Sequence, residues 1–208
     1  MESGRLEAFS DGVFAVAITL LVFNLAVLGP GHGHGRLGEQ LASHWPAFAA
    51  YVVSFLTIGI IWVNHHALFR GLSKVDRVLL FLNLLLLFFI VSIPFATATI
   101  AGYLRDGGPD AALAAAIYQA VFLGMSLSFG GLFWWSIRRE HLKTPLTGAR
   151  ARSALIRFAG GTVGYAAAVA IAFLSAPASL LVSGLLAIYY MFEQTPAQDP
   201  KDPPGTTE

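Results

Sequence analysis

Six stretches of apolar residues divide this chain: Phe9–Leu28, Ala47–Leu68, Val78–Tyr103, Ala111–Ile137, Leu155–Leu174 and the shorter Ala178–Phe192. At 1.5 Å rise per residue, about 20 apolar residues match the hydrocarbon core of a bilayer. Lipid offers no partners to backbone N–H and C=O groups, so such runs must be helices whose hydrogen bonds close internally. Only 12% of the 208 residues are charged and 56% are hydrophobic, whereas a soluble domain carries about 25% charged residues. The sequence therefore predicts an all-α membrane protein with six transmembrane helices per subunit. Residues 1–193 form the bundle, and the proline-rich polar residues 194–208 read as a disordered cytoplasmic tail.

Proline and glycine mark the boundaries: Gly29-Pro30, Pro46, Gly107-Gly108-Pro109 and Pro177. The mixed charges of Met1-Glu-Ser-Gly-Arg-Leu-Glu do not fit a cleaved leader, so the first stretch is read as retained. Arg70, Lys74 and Arg77 lie between spans two and three, and Arg138, Arg139, Lys143, Arg150 and Arg152 between four and five. The opposite loops offer only Arg36 and Arg105. Basic residues stay on the cytoplasmic side, which places both termini there.

Several features exclude function classes. The chain has no cysteine, hence no disulfide, thiolate metal site or cysteine nucleophile. No span carries arginine at every third position, as a voltage sensor would, and no nucleotide loop or soluble domain is present, so no cofactor or nucleic acid is expected. His32 and His34 sit on glycines without a carboxylate beside them, and read as a mobile loop rather than a metal site. Thr162-Val-Gly-Tyr165 spells four letters of a potassium-channel filter, but it lies inside one apolar run, where helical carbonyls cannot line a pore. In span three, Asn83 is the one amide in a leucine and phenylalanine run expected to face lipid or a neighbouring helix. Pro94 should bend that span, with Ser92 or Thr97 helping to replace the lost hydrogen bond. Trp134 and Trp135 read as an interfacial belt.

The first span begins with a polar foot, Arg5, Phe9, Ser10 and Asp11. Bringing an ionised carboxylate into a bilayer costs about 2.5 kcal/mol or more, so Asp11 needs partners. Span two ends at the same depth with Trp62-Val-Asn-His65-His66. Consecutive helical residues point about 100° apart, so one of the two histidines is expected to face span one. A polar lock between two helices and direct chemistry are both open to such a group. A Ser-His-Asp triad is not, because Ser10 and Asp11 are neighbours and a triad needs them on opposite sides of the imidazole. Further along span one, Val16, Thr19, Leu20 and Phe23 share a face, as either a packing stripe or a pore lining.

Arg-x-x-x-Phe-Ser-Asp, followed by Gly-Val-Phe-Ala-x-Ala-Ile-Thr-Leu-Leu-Val and by Trp62-Val-Asn-His65-His66, resembles the signature of the transmembrane protein 175 family of potassium channels. The likeness runs through all six spans and is weakest after span four. It implies a homotetramer in the prokaryotic plasma membrane, with span one of each subunit around a central pore. It also implies potassium selectivity without a carbonyl filter: apolar rings at Val16, Leu20 and Phe23, a polar ring with a permeant potassium ion at Thr19, and a bracing network of Arg5, Phe9, Ser10, Asp11, Trp62, His65 and His66. Relatives typically carry isoleucine or leucine at the constriction. Val16 is smaller, so the narrowest ring is either wider here or displaced to Phe23. Two rivals remain at this point, a proton-coupled transporter using Asp11 and a histidine, and a non-conducting scaffold.

Overall fold

A computed structural model describes residues 3–25, 36–146 and 148–192. Among them run seven α-helices: α1 (Ser3–Leu20), α2 (Leu37–Ser43), α3 (Trp45–Arg70), α4 (Arg77–Tyr103), α5 (Gly108–Arg138), α6 (Gly148–Ala172) and α7 (Ala176–Phe192). A 3₁₀ segment, Leu21–Leu25, continues α1. With that extension, α1 and α3 to α6 are long and apolar enough to cross a membrane, and α7 is apolar but shorter. All six expected apolar segments are therefore helical, five of them of membrane length. Helix α2 is an addition, seven residues too short and too polar to show a hydrophobic period. The loop with His32 and His34 and the tail expected beyond residue 193 lie outside the described residues.

Local chemistry explains the boundaries. Pro46 and Pro109 sit in the first turns of α3 and α5, where a missing N–H has no helical partner to lose. Gly107 and Gly108 take φ of 69° and 72°, the left-handed region open to glycine, and reverse the chain between α4 and α5. Asp76 caps α4, its Oδ1 accepting from the Leu79 amide at 2.8 Å.

Helix α4 packs against α1, α3 and α5; α5 continues to α6 and α7, and α7 returns to α3. Lipid removes the hydrophobic drive between helices, so close packing and interhelical hydrogen bonds decide these contacts. Ser54 of α3 meets Thr97 of α4 at 2.7 Å and Tyr118 of α5 at 3.0 Å. Gln119 of α5 donates to the Ser179 carbonyl at 2.8 Å and accepts from Ser183 at 2.6 Å, joining α7.

Three details differ from expectation or sharpen it. Ser92 and Thr97 do not mend the Pro94 gap: their hydroxyls donate to the carbonyls of Phe88 and Ile93, each four residues back. Asn24 reaches across from the 3₁₀ segment and donates to the Pro94 carbonyl at 3.1 Å, a different oxygen from the Ile90 carbonyl that the proline deprives of its helical N–H. Trp135 is more than a belt residue, since its indole donates to Asp76 Oδ2 at 2.9 Å and ties α5 to the start of α4. Thr162 to Tyr165 lie within α6, with Thr162 Oγ1 bonded to Ser126 of α5 at 2.8 Å.

Candidate functional site

Helix α1 has two faces. Leu6, Ser10, Phe14, Ala17 and Leu21 are buried, and their spacing of three or four residues draws one stripe against α3 and α4. Val16 is two residues, or about 200°, from Phe14 and so points the other way. There Val16 is 56%, Leu20 43% and Phe23 68% exposed within the subunit; Thr19 and Phe9 are exposed too. The 3₁₀ turn matters for this stripe. At three residues per turn, side chains at i and i+3 eclipse, so Phe23 stands above Leu20 instead of drifting about 60° away as in an α-helix. The Thr19 hydroxyl lies 2.9 Å from both the Ala15 and Val16 carbonyls. Its proton is spent inside the helix, and its oxygen lone pairs are left for the exposed side.

At the foot of α1 a directed chain of hydrogen bonds crosses three helices. Ser10 Oγ donates to the Leu6 carbonyl at 2.9 Å, so it accepts from Asn83 Nδ2 at 3.0 Å. Asn83 then presents its Oδ1 to His65 Nε2 at 2.9 Å, which must carry the proton. His65 Nδ1 has no hydrogen-bond partner among the described residues. The ring, fully buried, lies on Phe69 with centroids 4.0 Å apart and against Phe14 at 5.3 Å. An imidazolium here would bury an unpaired charge and an unsatisfied N–H, so the arrangement selects the neutral Nε2–H tautomer.

A second group flanks the first. The Trp62 indole donates to Asp11 Oδ1 at 2.9 Å and lies stacked on His66, centroids 5.8 Å apart. His66 Nδ1 is 3.0 Å from Glu7 Oε1.

The sequence-predicted residues thus separate into groups. Ser10, Asp11, Trp62, His65 and His66 come together. Both histidines engage the foot of α1, His66 directly and His65 through Asn83 and Phe14, where only one was expected to face it. Arg5 is exposed and forms no hydrogen bond or ion pair within the chain among the described residues, and Phe9 lies 54% exposed on the far stripe. Two participants were missed. Asn83 is fully buried rather than turned to lipid, and its signal was the lone amide in an otherwise apolar run. Glu7 stands one helical turn before Asp11, on the same face.

Outside the spans, Asp76 has a second assembly. Burial pushes its carboxyl up, but hydrogen bonds from the Leu79 amide and Trp135 and the nearby His141, 3.7 Å away, outweigh it and hold it below its ordinary 3.8. Ser73 Oγ donates to the His141 carbonyl at 2.9 Å, and Leu72 pairs with Leu142, so the loops after α3 and α5 are tied together.

Comparison with known proteins places this arrangement. Residues 5–94 match the family model described as endosomal/lysosomal potassium channel TMEM175. A potassium channel of Streptomyces collinus is 50% identical over 196 residues, 94% of each chain. The endosomal/lysosomal proton channel TMEM175 of Gallus gallus is 42% identical over 99 residues, 44% of this chain and 20% of that protein. The crystal structure of a lysosomal potassium-selective channel TMEM175 homolog from Chamaesiphon minutus superimposes with a TM-score of 0.78 at 36% identity, covering 91% of this chain and 96% of that one. These relatives are named as channels rather than enzymes, and the two bacterial ones cover more than nine tenths of this chain. The chain is a multi-pass membrane protein of the TMEM175 family.

Proposed function

We propose that this protein is a passive potassium channel, a homotetramer in the prokaryotic plasma membrane with α1 of each subunit around the central axis. The observation that carries this reading is the exposed stripe of Val16, Thr19, Leu20 and Phe23, set opposite the face that anchors α1 to α3 and α4. The names of the full-length bacterial relatives support potassium as the ion. Four Val16 and Leu20 side chains would form apolar constrictions that close by dewetting, and four Thr19 oxygens would replace part of the potassium hydration shell. Val16 and Thr19 are about 4.5 Å apart along the axis, so an ion leaving the threonine ring meets the apolar ring at once. Ser10, Asp11, Trp62, His65 and His66, with Glu7 and Asn83, brace the foot of α1. Arg5 and Phe9, both exposed within the subunit, lie outside that network.

The animal relatives carry the name proton channel, which raises the rival in which Asp11 and a histidine relay protons. The hydrogen-bond chain narrows it. From His65 it ends on the Leu6 backbone carbonyl, an acceptor that cannot pass a proton on, which removes His65 from such a relay and leaves His66 beside Glu7 and Asp11 as the histidine it would use.

Planar-bilayer recording of purified protein under a potassium/sodium gradient tests the proposal. Ohmic single-channel steps with a reversal potential near that of potassium are expected. Thr19→Ala should move the reversal potential toward zero, and Val16→Asn should raise conductance by wetting the constriction. Saturating flux driven by a proton gradient, or both variants behaving as the parent, removes α1 from the pore.

A further inference from the structure

We propose that Glu7, Asp11 and His66 form a binding site for one divalent transition-metal cation of the zinc type, clamping the foot of α1 to α3. One ligand atom from each of the three residues lies within 4.8 Å of the others. Metal–ligand distances of about 2.0–2.2 Å place two ligands of one tetrahedral ion roughly 3.4 Å apart. The observed spacing brackets that value, and modest rotamer adjustment of two carboxylates closes it.

Two of the three ligand atoms already stand close together. His66 Nδ1 is buried, and it stands 3.0 Å from Glu7 Oε1 without the alignment that a hydrogen bond needs. An imidazole nitrogen facing a carboxylate oxygen at that distance needs either a proton on the nitrogen or a cation shared by both atoms, and a metal ion held by Glu7 and His66 supplies the second. Glu7 and Asp11 add to the need, because like charges at i and i+4 on a helix repel. Arg5, the nearest cation in sequence, forms no ion pair with either among the described residues.

The donor set selects the ion. One imidazole and two carboxylates suit zinc and its first-row neighbours better than the permeant alkali cations, and three protein ligands leave a fourth position for water. The surroundings are built for such a site: Trp62 donates to Asp11 Oδ1, orienting that carboxylate, and its ring stacks on His66. Ligating carboxylates are characteristically fixed by a hydrogen bond of this sort. The site does not depend on whether the chain conducts.

Tag-free protein stripped with chelator and held in detergent micelles provides the test. Titration with zinc chloride should give one site per subunit and a rise in melting temperature, and cobalt(II) should develop a tetrahedral visible absorption band while quenching Trp62. Trp62→Phe assigns that quenching. Glu7→Gln and His66→Gln should each weaken zinc binding at least tenfold. Unaltered affinity in both variants overturns the site, as does parent protein that binds zinc only at millimolar concentration or shows no cobalt band. If a variant fails to elute as the parent does, the cobalt spectrum of the parent decides alone.

Discussion

Asn83 is the residue on which the foot of the bundle turns, because it accepts from His65 and donates to Ser10 at once. Removing it leaves a buried imidazole N–H with no acceptor, a loss of about 1–3 kcal/mol. Asn83→Ala should therefore lower the melting temperature in detergent, and Ser10→Ala added to it should cost less than the two changes separately, since both break one chain. Asp76 gives a second expectation, with a sign. Its folded-state pKa lies below the ordinary value, so its contribution is complete above pH 3.8 and is lost as pH falls through the lower folded value. The carboxylate is more than a third exposed, so the effect is small. Thermal melting at pH 7 and near pH 3 should show an acid-side loss that shrinks in Asp76→Asn, whose melting temperature at pH 7 should lie below the parent's.

Helix α1 shows a broad apolar stripe with no partner inside the subunit, as α4 does at Phe81, Phe88 and Phe95, and its other face is tied down at both ends. The foot is held by Ser10 and Asp11, and the head by Asn24 on the Pro94 carbonyl. That carbonyl belongs to the one kink-prone turn of α4, so α1 and α4 stabilise each other's irregularities: the 3₁₀ turn on one side and the proline on the other. Asn24→Leu should free Leu21–Leu25 to relax toward α-helix and swing Phe23 off the line above Leu20. The expected reading is faster hydrogen exchange over those residues with little change in α6 or α7. The α4–α5 contact is tighter. A Cβ on Gly124 would run into the Phe89 ring, so Gly124→Val should destabilise by about 1–3 kcal/mol in a melting experiment, whereas the same change at Gly130, with open space around it, should be nearly silent.

For the assembled protein, the exposed stripe must meet either lipid or copies of itself. Cross-linking and native mass spectrometry should give four subunits per particle; a monomer would leave the non-conducting scaffold as the better reading. The apolar segments and the polar foot of α1 were legible in the residues, because bilayer thickness sets a common length for the spans and an acid at the edge of one demands a partner. Which partner it takes could not be read so. Neither Asn83, 73 residues from Ser10, nor the pairing of Trp62 with Asp11 follows from any period along the chain. The same holds for Arg5, which the motif groups with the network and the fold leaves exposed. Helical period and hydropathy are local properties, so they determined the spans and the stripe; proton direction in the lock, the use of both histidines and the alignment of Phe23 over Leu20 arise only when α1, α3 and α4 meet, since each depends on an atom that another helix supplies.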